Sequence, residues 1–293
     1  MLLITFFALN LQCFLLQNEK TSEAENSTPT TLKMLSFNVQ VFGTTKMEKK
    51  PVVELLVDIF TRYDIGMMME IRDSTNTSFW QLLDDINQKV TDSGETYSYA
   101  GVVSERSGRS SSKEQYGYIY RTDKVVFQNL WQYQDSSDIF ERPPCVATFT
   151  DINNNKNTIN YLAIHTSPGD AVGEMNGLVD VYNKFAKEYS TDELILAGDF
   201  NAGCSYVCKS CWTEVSLLTN QDFYWLVSSY ANTTVASSSC PYDRLVVAGD
   251  DMAKVVSRAE VFRYDELWGV DSQTAKEVSD HYPLQFEVLL RDD

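Results

Sequence analysis

Residues 194–201 read LILAGDFN, and residues 240–249 read CPYDRLVVAG. Leu194 to Ala197 is a short apolar run closed by Gly198, too brief for a stable helix and apolar enough for a strand buried on both faces. Its end is polar: Asp199, Phe200, Asn201. The second stretch mirrors it, with Asp243 standing before the apolar run Arg244–Ala248. A carboxylate at the end of a buried strand costs free energy unless it is paired or bound to a cation. Taken singly, each such residue is as readily a cap or a turn residue.

The same arrangement returns elsewhere in the chain. Leu32–Val39 (LKMLSFNV) carries Asn38 near its end, Ile65–Ile71 (IGMMMEI) carries Glu70, and Ile159–His165 closes on His165. Asp280 and His281 stand directly before Tyr282–Leu290. Tyr116–Tyr120 and Pro144–Thr150 are further strand-like runs. Helical patterns lie between some of them. One begins at Pro51, suited to a first helical position, with Val52, Leu55, Leu56 and Ile59 on one face. A second carries Phe79, Leu82, Leu83 and Ile86, and a third Met175, Leu178, Val179 and Tyr182. Strands apolar on both faces, with amphipathic helices between them, imply an α/β protein whose sheets are covered by helices. Two sheets packed on each other fit the number of strands. No repeat or Pro/Gly-rich linker interrupts residues 32–290, which implies one continuous domain.

Repetition decides how the polar ends are read. So many strand ends of matching chemistry point to one shared, convergent site. Carboxylate and amide oxygens without thiolates suit a hard cation, Mg²⁺ or Mn²⁺, while zinc would recruit His or Cys. The chain has only two histidines, His165 and His281. Left free of metal, they can transfer protons, and the combination suits phosphoester hydrolysis: the cation polarises the phosphoryl oxygens, one imidazole takes a proton from water, and the other protonates the leaving oxygen. Charge agrees with this reading. Lys and Arg total 24 against 41 Asp and Glu in 293 residues, a formal net charge of −17. That excludes a protein that holds nucleic acid by charge alone, but not an enzyme that meets phosphate through a bound cation.

The N-terminal run Leu2 to Leu16 has the length of a signal-peptide core and is shorter than a membrane span; a buried N-terminal strand or helix is the alternative. We read residues 1–24 as a signal peptide, with Ala24 a candidate for the cleavage site, and the chain as secreted and soluble, without a membrane anchor. Cysteine usage fits. Beyond Cys13, five remain, so at least one of Cys145, Cys204, Cys208, Cys211 and Cys240 is left unpaired within the chain. Cys204, Cys208, Cys211 and Cys240 could form a zinc site, but an oxidising compartment favours two disulfides. Cys145, alternating with Ala147 and Phe149, reads as a buried free thiol. Asn26, Asn76 and Asn232 lie in N-x-S/T sequons and are glycosylation candidates.

The stretches SFNVQVFGTTKM (36–47), RYDIGMMMEIRDS (62–74), GRSSSKEQY (108–116), AIHTSP (163–168), AGDFNAGCSYV (197–207), CPYDRLVVAG (240–249) and SDHYP (279–283) together resemble the deoxyribonuclease I family of the endonuclease/exonuclease/phosphatase fold. The resemblance runs from about residue 32 to residue 290. It implies two packed mixed β-sheets forming a sandwich flanked by helices, a four-layer α/β/β/α arrangement. After a linker over residues 25–31, residues 32–293 would form one nuclease domain, acting as a monomer. Glu70, with Asn38 and Asp280, would hold the divalent metal. His165, oriented by Glu114, and His281, oriented by Asp243, would transfer protons. Asp199 and Asn201 would contact the scissile phosphate, and Arg72, Arg109 and Arg142 would reach DNA phosphates. Cys204–Cys240 matches the family's structural disulfide, leaving Cys208–Cys211 as a local bridge. The activity implied is a secreted endonuclease that nicks DNA to 5′-phosphorylated products. A phosphodiesterase of the same fold acting on a phospholipid or other small substrate, or a non-catalytic binding module, are the alternatives.

The chain also departs from the family. Ser112 stands where the family has a groove-stacking Tyr, removing a minor-groove contact. Calcium is a further candidate ion, but both of the family's calcium loops are altered. Asn232 replaces an Asp and Ala236 a Thr in one loop; the other keeps Asp135 and Asp138 but has Pro143 in place of a Glu. The small-loop disulfide of some members is missing from QYQDSSDIFERPP. Extra residues around SYAGVVSE fall in the strand that binds actin in vertebrate members, so actin binding is not carried over.

Overall fold

The computed structural model describes residues 30–236 and 238–291. In chain order its strands are β1 (Thr31–Phe42), β2 (Ile65–Ile71), β3 (Tyr99–Val103), β4 (Gln115–Arg121), β5 (Val125–Gln132), β6 (Cys145–Asp151), β7 (Thr158–His165), β8 (Leu194–Asp199), β9 (Phe223–Trp225), β10 (Asp243–Ala248), β11 (Glu260–Val261) and β12 (Leu284–Leu289). They form two six-stranded sheets, ordered β11-β12-β1-β2-β4-β3 and β5-β6-β7-β8-β10-β9. Each sheet is mixed, with one parallel pair, β1 with β2 and β7 with β8, among antiparallel neighbours.

Side chains alternate between the two faces of each sheet, and both faces are covered, which is why the central strands read as continuous apolar runs. Met34, Met67 and Met69 of the first sheet meet Ala147, Tyr161, Ile195, Ala197 and Leu245 of the second in the core between them. The intervening residues point outward. Leu35, Phe37 and Met68 pack under the helices Lys50–Phe60, Ser78–Asp92 and Ser272–Val278. Leu194 and Leu196 pack under the helix Ala171–Tyr189, through Met175, Leu178, Val181 and Phe185. The result is the expected helix–sheet–sheet–helix order.

The topology explains why the polar residues converge. The parallel strands β1, β2, β7 and β8 all run toward one end of the sandwich, where Asn38, Glu70, His165 and Asp199 lie. Their antiparallel neighbours start at that end, so the residues just before or at the start of β4, β10 and β12 arrive there too. Register makes this concrete: Asp243 sits opposite Asp199, and Leu284 opposite Ser36.

Disulfides join Cys204 to Cys240 and Cys208 to Cys211, with Cα–Cα separations of 5.8 and 5.1 Å. That pairing removes the zinc alternative. Cys145 is a buried free thiol, as expected from its alternation. Asn76 is exposed and Asn232 partly so, whereas Asn26 and the segment read as a signal peptide lie outside the described residues.

Candidate active site

Gly198 is the residue that lets β8 approach β7 closely. Its φ is +146°, and a Cβ there would lie 1.9 Å from the carbonyl oxygen of Ile164. Only glycine fits. Because the strands can close up, His165 and Asp199 come into register as partners at the ends of the two strands.

On the first sheet, a bulge does comparable work. The β1–β2 register shifts between Asn38 and Phe42, and Gln40, Val41 and Glu70 take φ values of 26°, 52° and 60°. Such values are strained for residues with a side chain, and strain of this kind persists where surrounding contacts enforce it. Here those contacts are visible. The Val41 N–H donates to Glu70 Oε2 at 2.8 Å, and the Gln40 N–H donates to Asn38 Oδ1 at 3.0 Å.

The site is organised around Asp199. Its Oδ2 accepts from Asn38 Nδ2 at 3.2 Å and lies 3.5 Å from Nε2 of both His165 and His281. Both imidazoles therefore turn the same ring nitrogen toward one oxygen. Behind each, a buried carboxylate meets Nδ1: Glu114 Oε2 at 2.9 Å from His165 and Asp243 Oδ2 at 2.7 Å from His281. Glu114 also binds two guanidiniums, Arg72 at 2.9 Å and Arg142 at 3.2 Å. Glu70 accepts from Asn38 Nδ2 at 3.2 Å and pairs with Arg72 at 3.2 Å. The Asn201 N–H donates to Asp199 Oδ1 at 2.9 Å, and its Nδ2 donates to the Thr166 carbonyl at 2.9 Å.

These contacts set the charge states. Burial alone would raise the Glu114 carboxyl, but His165, Arg142 and Arg72 outweigh it and hold the group below the usual carboxylate range. Burial alone would depress the His281 imidazole, but Asp243, Asp199 and Asp280 raise it to about 10.

The residues singled out in the sequence thus meet, with two qualifications. Asp280 stands at the rim, its side chain 52% exposed and 3.8 Å from His281 Nε2. Arg109 is not joined to this network; it pairs with Asp138 and Glu141 in an exposed loop. Ligand-type atoms cluster as Glu70, Glu114 and His165 and as Asp199, Asp243 and His281, each set within 4.8 Å. With Asn38 and Asp280 beside them, the oxygen donors free of thiolate suit a hard divalent cation. At the altered calcium loops, Asp135 spends one oxygen on the Phe140 N–H at 2.7 Å, and Asn232 Oδ1 accepts from the Thr234 N–H at 3.2 Å.

Supporting residues that sequence reasoning passed over act through the backbone. The Thr166 carbonyl receives Arg142 Nη2 at 3.3 Å as well as Asn201. The Thr233 hydroxyl accepts from the Asp243 N–H at 3.2 Å. The Ser279 hydroxyl donates to the Asn38 carbonyl at 2.6 Å and accepts from the His281 N–H at 3.0 Å. Thr166 and Ser279 fall in the quoted stretches AIHTSP and SDHYP, and Thr233 follows Asn232, but nothing in their residue type announces the partner.

Comparison with known proteins agrees with this geometry. Residues 35–281 match the model of the Endonuclease/Exonuclease/phosphatase family. Human deoxyribonuclease-1 is 40% identical over 267 residues, covering 89% of this chain and 92% of that protein. The bovine (Bos taurus) deoxyribonuclease-1 is 39% identical over 261 residues, covering 87% and 91%. Among solved structures, a functionally unknown conserved protein from Enterococcus faecalis superposes with a TM-score of 0.59 at 18% identity, covering 89% of this chain and all of that one. The human Nocturnin catalytic domain superposes with 0.58 at 12% identity, covering 89% and 95%. Those two show a shared fold. The family match across the body of the chain and the 40% identity to a deoxyribonuclease together place this chain in the deoxyribonuclease I branch of the endonuclease/exonuclease/phosphatase family.

Proposed function

We propose that the chain is a secreted, divalent-cation-dependent endonuclease that hydrolyses DNA phosphodiester bonds to 5′-phosphorylated products. One observation carries this reading: two imidazoles, each backed by a buried carboxylate, point Nε2 at the same Asp199 oxygen, 3.5 Å away in both cases. A phosphodiester needs a proton removed from the attacking water and another delivered to the leaving oxygen, and this arrangement offers one imidazole on each side. Glu114 and Asp243 fix the two rings and stabilise their cationic forms. Asn201 and Asp199 contact the phosphate, and Asn38 holds Asp199 and Glu70 in place. Glu70, Asn38 and Asp280 would hold Mg²⁺ or Mn²⁺. The cation, when bound, offsets charge building up on the phosphoryl oxygens. Arg72 and Arg142 flank the centre, where they can meet neighbouring phosphates. Paired cysteines support an extracellular location.

The test is nicking of supercoiled plasmid by the purified protein with Mg²⁺ and with EDTA. Wild-type protein is expected to relax the plasmid only with the cation, and Asp199→Ala and His281→Ala are expected to be inactive. Unimpaired nicking by either variant refutes the mechanism.

A further inference from the structure

Among the described residues, Lys46 is the one buried lysine, 8% exposed, and the chemistry above does not use it. Its Nζ donates to the carbonyl oxygens of Val39 at 2.8 Å and Val278 at 2.5 Å. Both carbonyls lie where regular pairing ends. Val39 lies where the β1–β2 register breaks, and Val278 is the last residue of the helix Ser272–Val278, whose terminal carbonyls have no intrahelical donor. One ammonium therefore ties the end of the strand that carries Asn38 to the end of the helix from which Asp280 and His281 hang. Ser279 adds a neighbouring tie through the Asn38 carbonyl.

Lys46 makes no ion pair among the described residues. Burial pushes its ammonium down to about 8, while Glu70 and Asp280 pull it up and Lys49 opposes them. Its carbonyl partners Val39 and Val278 lie one residue from Asn38 and two from Asp280, so the charge stands beside the residues proposed to hold the cation.

We infer that Lys46 is a positioning residue of the reaction centre: it fixes the Val278–His281 turn against the end of β1, and its buried charge lowers the affinity of Glu70 and Asp280 for a divalent cation. The inference deepens the nuclease reading and rests on it for its activity arm. A like charge near a cation site weakens binding, so removing the charge tightens it. Loss of the tie loosens His281 and lowers the rate of the chemical step without altering how DNA is bound.

The experiment compares wild-type protein with Lys46→Met, which keeps the length but removes charge and donors, and Lys46→Arg, which keeps the charge. Free Mn²⁺ is counted by electron paramagnetic resonance without DNA; kcat, KM and Tm are measured in parallel. Lys46→Met is expected to bind Mn²⁺ at least about fivefold more tightly and to lose at least about tenfold in kcat with KM within about threefold. Lys46→Arg is expected to keep wild-type Mn²⁺ affinity and lose kcat, because the larger planar guanidinium does not fit the buried space in which Nζ lies 2.8 and 2.5 Å from the two carbonyls. Equal or weaker Mn²⁺ binding by Lys46→Met overturns the inference, as does a kcat loss that only follows the folded fraction. If Lys46→Met does not fold, Lys46→Arg decides: wild-type kcat overturns the inference, and a lowered kcat at wild-type Mn²⁺ affinity supports it. A wild-type protein that cleaves no DNA defeats the nuclease reading instead, and leaves the Mn²⁺ comparison standing.

Discussion

Replacing Glu114 by Gln tests the proposed chemistry without emptying the space that Glu114 fills. The carboxylate is 3% exposed and holds three donors: His165 Nδ1 at 2.9 Å, Arg72 at 2.9 Å and Arg142 at 3.2 Å. An amide cannot serve all three. If its oxygen faces Arg72, its NH₂ takes the place of Oε2 and confronts Arg142 as donor against donor. That NH₂ also faces Nδ1, which must then accept a hydrogen bond rather than donate one. The ring's hydrogen moves to Nε2, and that nitrogen can no longer take a proton from water. If the oxygen faces His165 and Arg142, the NH₂ confronts Arg72 as donor against donor. Either way, the negative charge that stabilises an imidazolium is gone, and His165 passes through that state whichever direction its proton moves.

Loss of one acid–base group is worth about 10²- to 10⁴-fold in rate, or about 2.7–5.4 kcal/mol of barrier at roughly 1.36 kcal/mol per tenfold. We expect Glu114→Gln to lower the plasmid-nicking rate under saturating DNA by at least about 100-fold. One unsatisfied buried donor costs about 1–3 kcal/mol, and in a domain of this size that corresponds to a Tm drop of about 2–12 °C. The rate is measured well below the variant's Tm, so that unfolding cannot mimic the effect. Nicking within about threefold of wild type would show that His165 neither gives nor takes the proton.

The Asp73 carboxylate accepts from the N–H and hydroxyl groups of Thr75, Thr77 and Ser78, at 2.6–3.1 Å. Asp73→Ala should therefore destabilise the fold by about 2–4 kcal/mol in urea titration. These bonds, outweighing the opposing effect of burial, hold its carboxyl far below the usual range, so its contribution is complete above about pH 4 and fades as the pH falls further; a Tm difference between wild type and Asp73→Asn that widens on acidification contradicts this. The Cys145 thiol, pushed up to about 12 by burial, should resist maleimide in the native protein and react as one equivalent in guanidinium; native-state labelling refutes the burial. Because Arg72, Arg109 and Arg142 already have acidic partners, DNA binding by His281→Ala should show a log–log salt slope no steeper than about −3, and a slope near −6 or beyond contradicts that pairing.

What the sequence revealed follows burial. The eight central strands each carried a readable apolar run, but β3, β5, β9 and β11 did not, and these are the four sheet edges. An edge strand has one side without a neighbour, so exposed residues interrupt its pattern: β5 alternates Val125 and Trp131 with exposed or half-exposed neighbours, and β11 has only Glu260 and Val261. The site was legible for the same reason. Asn38, Glu70, His165, Asp199 and Asp243 are polar residues at the ends of apolar strands, and nearly complete burial makes each one costly unless it has a partner. Lys46, Thr166 and Thr233 escaped notice because their contributions run to or from backbone atoms, which one-letter codes do not display.

The charge of −17 and the cations near the centre belong to the same account. On the proposed reading Arg72 and Arg142 are recruited by phosphate, but in the free protein they pair with Glu70 and Glu114. A phosphate that draws on them competes with carboxylates already in contact, so little net attraction is left over for nonspecific binding. Surface acids elsewhere are screened beyond about 8–10 Å at physiological salt and cannot reach into this end of the sandwich. Affinity for DNA comes, on the proposed reading, from contacts made where the strands converge, and a divalent cation held by Glu70, Asn38 and Asp280 would add positive charge there. A dependence on a cation would then be a property of binding as well as of chemistry: the residues that would hold the ion, Glu70, Asn38 and Asp280, stand beside arginines already paired with carboxylates.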